Sequence, residues 1–127
     1  MIYATEAKFS SRAKVLGESA SAASFAELQG YCASESPLVR RVAASALGKL
    51  AGVVSAKDAV TTLIPLLADA HPQARQYATK ALSAFGAEAE AALSVLRDMY
   101  RNPSEKDYVK CNRLAKSRWL SGWSEII

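Results

Sequence analysis

The chain repeats itself. Shifting the sequence by 35 residues places Pro37 on Pro72, Arg40 on Arg75, Ala43 on Ala78, Ala46 on Ala81, Leu47 on Leu82 and Leu50 on Phe85, and upstream it places Leu28 on Leu63 and Tyr31 on Leu66. Eight correspondences at one offset constrain the fold more than any other feature. A unit of this length is a single supersecondary element that cannot bury its apolar side alone and must stack on its neighbours.

Each unit reads as a helical hairpin. In the second, Val60, Leu63, Ile64, Leu66 and Leu67 give a mostly apolar first helix, the run "ADAHP" interrupts it, and Ala74, Ala78, Ala81, Leu82 and Phe85 then recur at helical spacing. Ser36 and His71 stand as candidate N-caps before Pro37 and Pro72, and a proline at the first helical position loses no hydrogen bond there. Gly48, Gly52 and Gly86 lie toward helix ends, and Pro65 is expected to kink the helix that contains it. Half the residues are apolar, and 6 Gly and 4 Pro are few. Alanine replaces the Val, Ile and Thr runs of strands, so the fold class is all-α.

Outside these units the pattern is worn. Leu93, Leu96, Met99 and Tyr100 form an apolar face, Asn102 takes the place of Asp69, and "SEKDYVKCNRLAKSRWL" follows as a second helix capped by Ser104. At the front, Ile2, Phe9, Ala13 and Leu16 share a face, and "VLG" at 15–17 echoes "ALG" at 46–48. The expected map is one domain over 1–127 with about seven helices. It comprises a lone half-repeat at 2–17, hairpins at 24–51, 57–86 and 88–121, and an apolar C-terminal cap at 122–127.

Leu63 to Gly86, "LIPLLADAHPQARQYATKALSAFG", follows the pattern D-x-x-P-x-x-R-x-x-A-x-x-A-L-x-x-F/L-G, and "SPLVRRVAASALGKLAG" follows its second half, with Ser34 where the pattern has Asp69. Over about residues 24–86 this resembles the HEAT repeat family in its short bacterial form. The resemblance implies a right-handed α-α superhelix whose second helices line the concave side. It also implies structural roles for Pro37 and Pro72, and for Arg40 and Arg75 pairing with the turn acid Asp69.

The net charge of +4 conceals a segregation. Helix 37–51 carries Arg40, Arg41 and Lys49 with no acid, 72–86 carries Arg75 and Lys80, and 104–120 carries five cations against two acids, while each first helix nets one negative charge. If the second helices share a face, that face is basic, and its outward residues are Arg41, Ser45, Lys49, Gln76, Lys80, Arg113 and Lys116. Such a face attracts an anionic partner. The competing reading is that alternating charge only solubilises the helices.

No catalytic constellation appears. His71 is the single histidine and sits in a turn, GxGxxG, GxxxxGK[ST] and HExxH are absent, and Glu88/Glu90 and Glu105/Asp107 read as solvated carboxylates in first helical turns. Cys32 and Cys111, 79 residues apart, suggest neither a zinc site nor a disulfide framework, and Cys111 reads as a small core residue. Tyr77, Trp119 and Trp123 read as core and cap packing in preference to stacking platforms. The expectation is a cytoplasmic, non-enzymatic interaction scaffold without cofactor or metal, contacting no membrane. Its partner is expected to be a protein, with nucleic acid as the alternative. It is expected to be a monomer or a weak dimer through the C-terminal apolar tail.

Overall fold

The computed structural model describes residues 2–19 and 21–110. They form seven α-helices: α1 (Ile2–Glu18), α2 (Phe25–Cys32), α3 (Pro37–Lys49), α4 (Ala56–Leu63), α5 (Pro72–Ala84), α6 (Leu93–Arg101) and α7 (Asp107–Lys110). No strand occurs among the described residues; the sole pairing outside helices is an isolated bridge between Ala51 and Val54. Arg113, Lys116, Cys111, Trp119, Trp123 and the expected cap at 122–127 lie outside the described residues.

Local chemistry sets the helix boundaries. The Ser36 hydroxyl accepts the Val39 N–H at 3.3 Å and Pro37 opens α3. Pro72 opens α5 in the same way, but His71 does not cap it with its side chain as expected. The Asp69 carboxylate instead accepts the His71 N–H at 2.9 Å and shapes the turn. Pro65 lacks the N–H that a continuing helix needs. Regular α4 accordingly ends at Leu63 and the chain tightens into a 3-10 segment, Ile64–Ala68.

One further expectation is corrected. The last hairpin's second helix opens at Asp107, not at Ser104, whose N–H is taken by Asn102 Oδ1 at 2.9 Å. Gly52 and Gly86 do adopt positive φ, 88° and 59°. Gly48, the next-to-last residue of α3, also lies toward a helix end, and there it serves packing.

α1, α3 and α5 stand side by side, with α3 packed extensively against both neighbours. α2 lies behind α3, the 3-10 segment after α4 lies behind α5, and α7 also contacts α5. Positions related by the 35-residue shift are buried alike: Leu28 and Leu63, Ala43 and Ala78, and Leu47 and Leu82 are all wholly inaccessible. The result is a helical solenoid.

Glycine sets the spacing within the front row. A Cβ built on Gly48 would lie 2.9 Å from the Ala81 Cα, and one on Gly17 would lie 2.8 Å from the Ala46 Cα. Ala46 and Ala81 are 35 apart, but Gly17 and Gly48 are 31 apart. α1 therefore enters the stack in the register of the VLG/ALG echo, four residues off the main repeat.

Candidate functional site

Seven of the eight cations of the front row divide into two sets; the eighth, Lys8 of α1, has no ion pair among the described residues and lines a separate recess with Arg12 and Glu27. One set is consumed in holding the units together. Arg40 forks onto Asp69, Nε to Oδ2 at 2.7 Å and Nη2 to Oδ1 at 3.0 Å, while its Nη1 donates to the Ser34 carbonyl at 2.8 Å. Arg75 repeats the arrangement one unit later: Nε and Nη2 donate to Glu105 at 2.9 and 2.8 Å, and Nη1 donates to the Asp69 carbonyl at 2.7 Å. Arg75 thus pairs forward with Glu105 and not with the Asp69 side chain, and Glu105 is not solvated: its side chain is 5% exposed.

Burial by itself would raise the carboxyls of Asp69 and Glu105. The arginine fork and a backbone N–H, that of His71 for Asp69 and that of Lys106 for Glu105, outweigh it and hold both below the usual carboxylate range. Hydrogen bonding to Glu105 correspondingly raises Arg75, against the opposing effect of burial.

The front junction lacks this fork. In the 31-residue register Phe9 occupies the place of Arg40, and Phe9 and Ser34 line the same open recess. Phe9 stacks at a tilt on Tyr31, ring centroids 5.5 Å apart, and Arg12 pairs with Glu27 at 2.9 Å, where Glu27 also accepts the Tyr31 hydroxyl at 2.7 Å. These hydrogen bonds lower the Glu27 carboxyl, Arg12's contribution being the larger, and raise Arg12.

The second set of cations has no acid. Arg41, Ser45 and Lys49 of α3 line a small cavity together with Lys14 of α1, Tyr77 of α5, Val42 and Ala46; its volume is about 200 Å³. Lys80 stands beside it. The Arg41 guanidinium lies 5.5 Å and the Lys80 ammonium 5.9 Å from the Tyr77 ring centroid. Arg41 Nη1 also donates to Gln73 Oε1 at 2.9 Å, which fixes the guanidinium. Three ion pairs occur among the described residues, and none involves Lys14, Arg41, Lys49 or Lys80. The cation–π contacts keep like charges close together without an intervening carboxylate.

Of the residues the sequence marks as outward, the structure brings Arg41, Ser45, Lys49 and Lys80 together. Gln76 is half-buried one turn before Lys80, with no contact to the cavity, and Arg113 and Lys116 lie outside the described residues. Sequence reasoning did not place Lys14 among the outward residues and preferred core packing for Tyr77, whereas Tyr77 both packs on the core and walls the cavity. The VLG/ALG echo held the missing signal. Extended backward at 31 residues, it aligns Lys14 with Ser45, which the main repeat aligns with Lys80.

Other chemistry is sparse. Burial pushes the Cys32 thiol up to about 12, so it stays protonated and inert at neutral pH. Among the described residues no group of three or more His, Cys, Asp or Glu could hold a metal ion, and no helix is long and apolar enough to cross a membrane.

Residues 39–69 match the family described as PBS lyase HEAT-like repeat. The matched stretch begins in α3, next to Arg40, and ends on Asp69, so both partners of the first fork fall within it. No curated protein and no solved structure matches the chain.

Proposed function

We propose that this HEAT-like repeat chain is a non-catalytic scaffold that binds an anionic protein through the basic face of α1, α3 and α5. HEAT-like repeats are generally protein-interaction scaffolds. The single observation that carries the finer reading is the sorting of cations. Arg12, Arg40 and Arg75 are each matched to an acid, whereas Lys14, Arg41, Lys49 and Lys80 face one groove unmatched. Uncompensated cations that converge from three helices raise the local concentration of an anionic partner and speed its association.

The same cations favour a second reading, an accessory module contacting nucleic-acid phosphates. The two separate in titrations of labelled polyglutamate and labelled duplex DNA at two salt concentrations. The scaffold reading expects polyglutamate to bind and the exposed-face variant Lys49→Glu/Lys80→Glu to lose it. The nucleic-acid reading expects duplex binding through ~3–5 phosphates, with a log–log salt slope near −3 to −4.5. Binding of neither polyanion at low salt overturns both.

A further inference from the structure

We propose that the groove's occupant is an acidic polypeptide segment carrying one leucine-sized apolar side chain, which seats in the cavity between α3 and α5 while flanking carboxylates meet the surrounding cations. This rests on the scaffold reading above and specifies what that scaffold recognises.

The cavity's size comes first. About 200 Å³ is smaller than the roughly 300–1,000 Å³ of small-molecule sites, so it fits one side chain and no free ligand of ordinary size. Its lining is divided. Val42, Ala46 and the Tyr77 ring are apolar, and Lys14, Arg41 and Lys49 carry the charge, with Ser45 between them. An apolar centre ringed by polar groups is the arrangement that concentrates binding energy at a protein interface, because the rim excludes water from the anchor.

The cations themselves are pre-arranged for carboxylates. Arg41 is held by Gln73 and by the Tyr77 ring, so little side-chain entropy remains to be lost when it donates to a carboxylate. Nucleic acid fits less well on two counts. A base stacking on Tyr77 must compete with Arg41 and Lys80, which already lie over that ring. A duplex backbone offers phosphates but no apolar group to fill the cavity.

The test uses the full chain and three labelled probes in anisotropy titrations: a peptide of glutamates around one central leucine, the same peptide with alanine at the centre, and oligothymidylate. The leucine peptide is expected to bind at least about tenfold more tightly than the alanine peptide, since burying a leucine side chain is worth at least one such factor. Ser45→Phe fills the cavity, leaves every cation in place and sits at a half-buried position on α3. It is expected to abolish the leucine preference, the two peptides then binding the variant alike. Equal affinity for the two peptides, both weakened by Lys49→Glu, overturns the anchor and leaves the basic-face scaffold standing. Binding of neither peptide overturns both. Oligothymidylate binding more tightly than the leucine peptide overturns the inference in favour of a single-stranded nucleic acid.

Discussion

The α1–α3 and α3–α5 junctions are built on the same backbone contact, but only the second carries an arginine fork. In both, a glycine of one helix meets an alanine of the next at a distance no Cβ would allow. At α3–α5 the Arg40 fork reaches a nearly buried Asp69 in the turn before α5; at the front no such fork joins α1 to α3, and an aromatic pair and an exposed Arg12–Glu27 pair tie α1 to α2 instead, with the Arg12 and Glu27 side chains 52% and 39% exposed. Helix spacing is therefore set by the glycine step, and the ion pair is an addition to it. Spacing and charge can be broken separately.

The largest loss is expected at the fork. Arg40→Ala leaves Asp69, whose side chain is 8% exposed, as an uncompensated carboxylate and strips the Ser34 carbonyl of its donor, which should cost about 3 kcal/mol in chemical denaturation. Arg75→Ala should behave alike through Glu105. A loss no greater than that of an exposed arginine would mean the forks decorate the stack without holding it.

Acid should weaken the same forks more gently, because a carboxyl that protonates no longer carries an unpaired charge. The folded-state values of Asp69 and Glu105 lie below the unfolded value of about 4. Their contribution is thus complete above pH ~4 and is lost as pH falls through the depressed folded values. Thermal melts of the wild type should decline below that pH, and those of Asp69→Asn/Glu105→Gln should start lower and decline less. Parallel curves would remove these carboxylates from the account.

The glycine step is tested by two helical glycines with opposite surroundings. Gly48→Ala drives a methyl into the Ala81 backbone and should destabilise by roughly 1–2 kcal/mol even after the gain in helix propensity. Gly30→Ala in α2 meets nothing within 4 Å and should stabilise by about 0.5–1 kcal/mol. If both substitutions stabilise, the close approach does not set the spacing.

The same contrast explains what the sequence could disclose. Where one residue type does one job at a fixed offset, as at Leu47/Leu82 or Ala43/Ala78, the repeat is legible and the fold follows from it. Asp69 does two jobs, accepting the His71 N–H in the turn and pairing with Arg40. In the next unit these are divided: Asn102 accepts the Ser104 N–H and Glu105 takes the arginine. Because the acid moved three residues along, Glu105 looked like an ordinary solvated carboxylate. Ser34 keeps only the turn, accepting the Ser36 N–H at 3.1 Å, so no arginine stands opposite and Phe9 fills the place. The groove was half legible for a related reason. Arg41, Lys49 and Lys80 follow the main register, whereas Lys14 follows the shifted register of α1, and only packing reveals that the two meet.

The smallest effect is expected at the front junction. Arg12 and Glu27 meet at 2.9 Å, a geometry as good as that of Arg75 and Glu105, but both side chains are far more exposed than that pair. At physiological salt the attraction of exposed charges is screened within ~8 Å, and ordering two long side chains offsets much of what remains. Arg12→Ala should therefore melt with the wild type, while the same substitution at Arg40 should not. Should the two lose stability equally, burial would not be what separates the two pairs, and the α1–α2 pair would have to be counted among the forces that hold the stack.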